Sequence, residues 1–387
     1  MAKNSRRSAR EVMETGCVTE VTRPLDTLLR ERIIGQEPSL RALTCSFSRV
    51  LSGLRDPSRP VQTLLLLGPT GVGKTETAKA LAQHLFGWEG ALTRINCEEY
   101  AHGHELSKLL GAPPGYVGHG LEPLLSQARI DGPHQQARRE GTGSAGDPQG
   151  PFTKPFRAEQ GACLSIVLFD EIEKVHPVLW NAMLGILEGG HLTLGDNSVT
   201  DFTRSIIVMT SNVGSRDLGA LLDRRQVGFR AQGPGAAPQE VDLKKVALGA
   251  AREMFPLEFL NRFDDILVYT SLERRHLEAI FEKFLREIHV RALLQAGMPL
   301  LIQVGRQAKE LILDRGTDPL LGARPLRRAI EVELVDPLSR LIASGRLTAG
   351  DIVEVERNGE QLLFYRKQNG ASAPGSLEIP GPSRINR

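Results

Sequence analysis

Short apolar runs alternate with helix-like stretches over the first 270 residues of the chain. Apolar or β-branched runs occur at residues 64–67, 92–96, 164–169, 205–210 and 266–269. Stretches with helical periodicity, such as 177–187 and 243–255, separate them. Strands that are apolar along their whole length and alternate with helices are typical of a parallel sheet covered on both faces. The pattern therefore predicts an α/β fold with a parallel sheet core.

The pattern changes near Ser271. Amphipathic helices are predicted at residues 275–295, 307–315 and 325–344, and two strands at 351–356 and 361–366 flank Asn358-Gly359. An Asn-Gly pair between apolar runs favours a β-hairpin. We therefore predict a large α/β domain over residues 22–270 and a smaller, mainly helical C-terminal domain over residues 271–368.

Three segments lack periodicity. Residues 131–160 are rich in Gly, Pro, Gln and Arg and predict a flexible insertion, while residues 1–21 and 369–387 predict disordered tails. The basic start has no apolar segment of the kind that a secretory signal needs, and Glu11 and Glu14 argue against an organelle transit peptide. No apolar run approaches the ~20 residues that span a bilayer. The expected location is the cytoplasm.

Composition narrows the class of partner. The chain has 387 residues, 48 Lys+Arg against 46 Asp+Glu, and a net charge of +2, so its charge favours neither nucleic acid nor an anionic membrane as a partner. The cysteines Cys17, Cys45, Cys97 and Cys163 show no C-x-x-C spacing. We expect reduced thiols, with no zinc site and no disulfide framework.

A phosphate-binding loop follows the first apolar run. Its residues fit G-x-x-x-x-G-K-[ST] at every fixed position and are Gly68, Pro69, Thr70, Gly71, Val72, Gly73, Lys74 and Thr75. Backbone N–H groups of such a loop converge on phosphate oxygens, Lys74 can reach the outer phosphates, and the Thr75 hydroxyl can bind Mg²⁺. The helix that begins here directs its positive end toward the same phosphates. ATP and Mg²⁺ are therefore the predicted cofactors.

An acidic pair lies at the end of another predicted strand. Asp170 and Glu171 follow the apolar run 165–169, and parallel strands place such residues beside the phosphate loop. Asp170 can hold the Mg²⁺ shell, and Glu171 can orient and deprotonate the attacking water. Asn212 follows the next strand and offers an amide near the γ-phosphate; on its own it would be an ordinary turn residue.

Six short motifs, in order along the chain, carry a family resemblance. They are RIIGQ at 32–36, GLRDP at 53–57, GAPPGYVG at 111–118, FDEIEK at 169–174, EFLNR at 258–262 and GARPL at 322–326. The chain resembles the C-terminal ATPase module of the Clp-type AAA+ unfoldases, the ClpB and ClpC group, over residues 22–366. The resemblance implies an AAA+ P-loop NTPase fold with a small C-terminal lid domain, here as a single-module chain.

The resemblance also implies roles at the nucleotide. Ile33 and Ile34 would hold the adenine, with Ala323 among the nucleotide-binding residues. Asn212 would be the sensor that positions water, and Arg324 the lid sensor that contacts the γ-phosphate. The alternative for Arg324 is a salt bridge at a helix N-terminus.

Arg262 resembles the arginine finger that reaches the ATP of a neighbouring subunit. A finger of this kind typically contributes ~10³–10⁵ in rate and acts only across a subunit boundary. The resemblance therefore implies a homo-oligomeric ring, a hexamer in the family, with ATP at each boundary. The alternative is that Arg262 forms a surface ion pair with Asp264 or Asp265.

Residues 115–118 suggest what the ATP is used for. Glycines flank Tyr116 and Val117 and give a mobile loop. Exposing two apolar side chains on such a loop would be costly without a functional use. In the family this loop lines a central pore and grips an extended polypeptide; a Tyr in a β-hairpin is the alternative. Residues 192–202 resemble the second pore loop, but its usual glycine and arginine are replaced around Asn197.

The loop Val227, Gly228 and Phe229 bears on the partner. An isolated Phe stands there in polar and Gly/Pro-rich sequence. ClpC-like unfoldases dock on the ClpP peptidase through such a loop, and ClpB-like disaggregases lack it; alternatively Phe229 packs within its own domain.

The resemblance as a whole implies an ATP-driven unfoldase and translocase that threads protein substrates and feeds a ClpP-like peptidase. A stand-alone remodeller or disaggregase is the first alternative. A nucleic-acid AAA+ machine or an ATP-dependent scaffold are the others, disfavoured by the neutral charge balance and by the intact set of nucleotide-site residues. Neither nucleic acid nor a membrane is expected as a partner.

Overall fold

The computed structural model describes residues 18–112, 115, 120–139, 164–215, 240–294, 297–318 and 321–367. Most of the two predicted tails and of the predicted insertion lie outside the described residues. Tyr116, Val117 and the loop 227–229 also lie outside them, so the roles assigned to these residues stay predictions.

A five-stranded parallel sheet forms the centre of the large domain. The strands that the structure describes in this domain are β1 (Gln62–Leu67), β2 (Thr93–Asn96), β3 (Ser165–Asp170), β4 (His191–Thr193), β5 (Val199–Asp201), β6 (Ser205–Ser211) and β7 (Asp265–Val268). The sheet has the order β2-β3-β6-β1-β7, and all of its pairings are parallel. β1, β3 and β6 are buried along their whole length, which is why each contains a continuous apolar run. The predicted α/β fold is confirmed.

Helices cover both faces of this sheet. They are α1 (Arg23–Arg32), α2 (Glu37–Ser52), α3 (Lys74–Phe86), α4 (Leu106–Leu110), α5 (Gln127–Arg139), α6 (Val178–Gly189), α7 (Glu240–Met254) and α8 (Leu257–Leu260), with 3₁₀ turns at Cys97–Tyr100, Gly103–Glu105 and Ile172–Lys174. Leu64 and Leu66 of β1 join a core with α1, α2 and α3. Leu65 and Leu67 point the other way and join a core with α5, α6 and α7.

The small domain has its own core. Its elements are α9 (Arg274–Leu294), β8 (Leu301–Val304), α10 (Arg306–Arg315), α11 (Arg324–Ile330), a π-helical turn (Glu331–Val335), α12 (Asp336–Ala343), β9 (Ile352–Asn358) and β10 (Gln361–Lys367). β9 and β10 form the predicted antiparallel hairpin. The sequence pattern did not predict β8, a short strand that pairs in parallel with β9. Nor did it predict the π turn, which lies just before Pro337, a residue with no N–H for the regular helical bond.

The predicted irregular segment begins too early. α5 continues to Arg139, so residues 131–139 are helical although Pro133 lies inside the helix. Proline cannot donate to the carbonyl four residues before it, which is that of Arg129. The Thr93 hydroxyl of β2 donates to this carbonyl at 3.2 Å. A tertiary hydrogen bond thus replaces the missing helical one, and a local reading of the sequence could not foresee it.

The cysteines differ from expectation. Cys45, half-buried on α2, is disulfide-bonded, and its partner is not among the described residues. The expectation of four reduced thiols is therefore wrong, because spacing along a chain does not reveal which cysteines the fold brings together. Cys97 is free and buried, and burial raises the pKa of its thiol. Within the described part of the chain, no helix is both long and apolar enough to cross a bilayer.

Candidate nucleotide site

The phosphate loop connects β1 to α3 and is tightly enclosed. Gly68 has a φ of 142°, and a Cβ there would lie 2.3 Å from the carbonyl oxygen of Tyr269. Gly71 has a φ of 71°, and a Cβ there would lie 2.3 Å from the carbonyl oxygen of Leu321 in the small domain. Only glycine fits these two positions without displacing backbone. The loop is therefore held between the end of the sheet and the small domain.

Lys74 begins α3 and turns back into the loop. Its ammonium donates to the carbonyls of Gly68 and Pro69 at 2.5 and 2.6 Å and to Oδ1 of Asn212 at 2.9 Å. Burial lowers the pKa of Lys74 to about 8, against the opposing effect of the Glu173 and Asp170 charges. The structure thus brings together Lys74 and Asn212, two residues that the sequence predicts at one site.

Asp170 lies at the centre of a polar network. Its carboxylate accepts hydrogen bonds from the hydroxyls of Thr75 at 3.1 Å and Thr210 at 2.6 Å. The Arg94 guanidinium on β2 pairs with it at 2.5 Å. A hydroxyl and a carboxylate so close together are oxygen donors of the kind Mg²⁺ takes while it keeps several waters. Thr75 and Asp170 therefore fit the predicted magnesium site.

Glu171 has an uncommon backbone conformation. Its φ of 60° and ψ of 52° place a non-glycine residue in the left-handed region, which costs ~1–2 kcal/mol. Its N–H donates to the Thr210 hydroxyl at 3.0 Å, and its carboxylate pairs with Lys174 at 2.6 Å. Two hydrogen-bonding residues thus hold the candidate base, and strained backbone of this kind is concentrated at functional sites.

Glu173 supports Asn212 from behind. Its Oε1 accepts the Asn212 N–H at 3.0 Å, and its Oε2 is buried without a hydrogen-bond partner. The motifs in the sequence predicted no role for Glu173, Thr210, Arg94 or Lys174. Neighbouring strand ends bring Arg94 and Thr210 to Asp170, and only the strand order reveals those contacts.

The small domain completes a cavity over the loop. The cavity measures about 1270 Å³, somewhat above the ~300–1,000 Å³ of ordinary small-molecule sites. Most of the predicted nucleotide-binding residues line it: Ile33, Ile34, Thr70, Gly71, Val72, Gly73, Lys74, Thr75, Asp170, Glu171, Asn212, Ala323 and Arg324. The Ala323 N–H donates to the Gly71 carbonyl at 3.0 Å, so the turn before α11 is bonded directly to the phosphate loop.

Ile33 and Ile34 lie where the two domains meet. Ile33 belongs to a core of the large domain, and its side chain touches the position where Gly73 would carry a Cβ. Ile34 packs against the core of the small domain. Arg32, just before them, pairs with Glu76 of α3 at 2.5 Å, and its carbonyl accepts Lys283 of α9 at 2.9 Å. The segment thus connects both domains at one end of the cavity.

Arg262 lies apart from this cavity. Its guanidinium pairs with Glu188 at 2.8 Å and with Glu258 at 3.7 Å. It does not pair with Asp264 or Asp265, the partners named in the alternative reading, because these bind Arg59 and Arg49. That part of the alternative is wrong, although Arg262 does form an ion pair.

The predicted second pore loop is a hairpin. β4 and β5 pair antiparallel, and Asn197 in the turn has a φ of 65°. The Gly195 N–H donates to the Leu110 carbonyl at 2.6 Å, and a Cβ on Gly195 would lie 2.4 Å from the Gly111 carbonyl oxygen. The hairpin therefore touches the backbone from which the predicted first pore loop departs.

The chain matches known families over most of its length. It matches the AAA domain (Cdc48 subfamily) over residues 59–134 and 152–266, and the C-terminal D2-small domain of ClpB protein over residues 272–355. Among curated relatives, the protein described as ATP-dependent Clp protease ATP-binding subunit ClpC from Staphylococcus aureus is 37% identical over 340 residues. Its counterpart from Staphylococcus epidermidis is 36% identical over the same length.

A parallel sheet, a phosphate loop with an acidic pair and a small closing domain define an AAA+ ATPase. The chain belongs to the Clp-type AAA+ ATPases, and the resemblance described from its sequence is confirmed. The alignment covers 88% of this chain but only 37% of either ClpC relative.

Proposed function

We propose that this chain hydrolyses Mg²⁺-ATP in the cavity between its two domains to drive the unfolding of proteins. The observation that carries the chemical part is the network around Asp170. Thr75 and Thr210 contact its carboxylate, and Thr210 also holds the backbone of Glu171. The Thr210 hydroxyl therefore orders both a candidate metal ligand, Asp170, and the candidate base.

The chain's own residues have distinct parts in this proposal. Phosphate oxygens would replace the loop carbonyls that Lys74 now binds, and Thr75 and Asp170 would hold Mg²⁺, which neutralises charge on the phosphates. Glu171 would accept the proton of the attacking water, which Asn212 helps to orient. Arg324 begins the helix that closes over the loop and would contact the γ-phosphate.

A neighbouring subunit would complete the site. Arg262 does not line the cavity of its own chain, and its side chain is 32% exposed beside two carboxylates. An arginine finger that acts on a neighbour's ATP must lie outside the nucleotide site of its own chain. We therefore propose a ring in which Arg262 of one protomer exchanges Glu188 for the phosphates of the next.

Protein substrates and a peptidase complete the proposal. Tyr116 and Val117 would grip the substrate, and the loop 227–229 would dock on a ClpP-like peptidase. The support is that the similar Staphylococcus proteins are each described as the ATP-binding subunit of a Clp protease.

Two substitutions test the chemical assignment. Lys74→Ala should abolish nucleotide binding, whereas Glu171→Gln should bind ATP and hydrolyse it at least ~10²-fold more slowly. Lys244→Ala and Glu253→Gln, both at exposed positions of α7, are the matched controls. Binding is measured with a fluorescent ATP analogue and turnover by phosphate release. Wild-type turnover in Glu171→Gln would refute the assignment of the base.

A further inference from the structure

Lys174 binds the candidate base from outside the cavity. Its ammonium lies 2.6 Å from Oε2 of Glu171. The 3₁₀ turn Ile172–Lys174 makes this contact local, because the Lys174 N–H donates to the Glu171 carbonyl at 3.0 Å. Glu171 lines the cavity, whereas Lys174 is not among the described residues that line it and is 40% exposed. The lysine thus holds the carboxylate from the side away from the nucleotide.

A second carboxylate competes for the same lysine. Glu98, in the 3₁₀ turn after β2, lies 3.0 Å from the Lys174 ammonium and is 63% exposed. One cation therefore serves two anions, of which one faces the cavity and the other faces solvent. The more strongly Glu98 binds Lys174, the less strongly Lys174 restrains Glu171.

We propose that Lys174 is a positioning residue that restrains Glu171 in the resting site, and that Glu98 sets the strength of this restraint. The proposal rests on the proposed role of Glu171 as the base. A charge-assisted hydrogen bond from an ammonium holds a carboxylate in one orientation, so Glu171 must reorient before it can accept a proton from the attacking water. Turnover then requires Glu171 to leave Lys174, and Glu98 keeps the lysine paired when it does so.

Three substitutions separate this role from a structural one. Lys174→Met keeps the aliphatic stem and removes the charge, and it should raise the basal kcat about two- to fivefold, the range expected from a partly exposed ion pair. The KM for ATP should change by less than about twofold, because the lysine does not contact the nucleotide. Lys174→Arg keeps the charge and should therefore keep the low basal kcat of the wild type. Glu98→Gln should lower kcat, because Lys174 then pairs with Glu171 alone.

The controls make each outcome decisive. Lys244→Met, on the exposed face of α7, is the matched lysine change and should leave kcat as it is. In a Glu171→Gln background, Lys174→Met should have no effect on the residual rate. An unchanged or lower kcat in folded Lys174→Met, or a higher kcat in Glu98→Gln, would overturn the proposal. Thermal melting identifies a variant that does not fold, and Glu98→Gln then decides alone.

These results are distinguishable from a failure of the proposed function. If Glu171→Gln keeps wild-type turnover, Glu171 is not the base and both proposals fall. If Glu171→Gln loses turnover while Lys174→Met does not raise it, Glu171 stays the base and only the restraint by Lys174 is refuted.

Discussion

Removal of the Thr210 hydroxyl is the best single test of which hydrogen bonds hold this site together. The hydroxyl donates to Asp170 at 2.6 Å and accepts the Glu171 N–H at 3.0 Å, in a fully buried position. Thr210→Val keeps the shape of the side chain and removes both bonds. A hydrogen bond to a charged group is worth ~1.5–3 kcal/mol and a neutral one ~0.5–1.5 kcal/mol. We expect Thr210→Val to lower the free energy of unfolding by about 2–4 kcal/mol.

The expected loss corresponds to a fall in Tm of roughly 4–16 °C for a domain of this size. Turnover should fall as well, because the strained backbone of Glu171 loses its N–H partner. Thr210→Ser keeps the hydroxyl and should recover most of both properties. The assays are thermal unfolding and phosphate release on the same preparations. A Thr210→Val protein with the Tm and kcat of the wild type would refute the view that this hydroxyl orders the site.

Four further predictions concern charge, assembly, coupling and the peptidase partner. Since the pKa of Lys74 is lowered to about 8, the ammonium that binds phosphate is present below that pH, and ATP affinity should fall as the pH rises through 8; calorimetry at pH 8.5 in buffers of different ionisation enthalpy should detect proton uptake on binding, and none would contradict the assignment. Mixed rings of Arg262→Ala and Glu171→Gln protomers should regain some of the hydrolysis that each lacks alone, and full activity of a monomer at every dilution would exclude a finger in trans. Tyr116→Ala should keep ATP hydrolysis yet lose unfolding of a tagged substrate, and Phe229→Ala should lose only peptidase binding, by ~2 kcal/mol or more per loop; a Phe229→Ala protein that melts earlier and still binds the peptidase would place Phe229 in the core.

The parts of the fold that were predictable are those with a local signal. β1 and β3 are buried on both faces and therefore contain unbroken apolar runs. The β9–β10 turn carries its own Asn-Gly pair. β8 was missed because it is only four residues long and gains its pairing from β9, which lies far along the chain. The continuation of α5 past Pro133 likewise depends on Thr93 of another strand.

The residues of the candidate site also divide into those that a local motif predicts and those that depend on the fold. The residues from Gly68 to Thr75 are a contiguous motif, and the motif predicts their position without knowledge of the fold. The partners of Asp170 come from β2 and β6, so they follow from the strand order, which the motif does not encode. Lys174 lies within the motif FDEIEK, but its role appears only once the left-handed backbone of Glu171 and the turn after it are known.

Ile33 and Ile34 are adjacent in sequence, yet Ile33 lies in a core of the large domain and Ile34 packs against the core of the small domain. A base bound between them would bridge the two domains. Its residence time would then depend on how readily the small domain rotates, not on the contacts to the base alone. A competitive inhibitor that touches both side chains would accordingly respond to interdomain rotation, and substitution of Lys283, which ties α9 to the Arg32 carbonyl, would change its residence time.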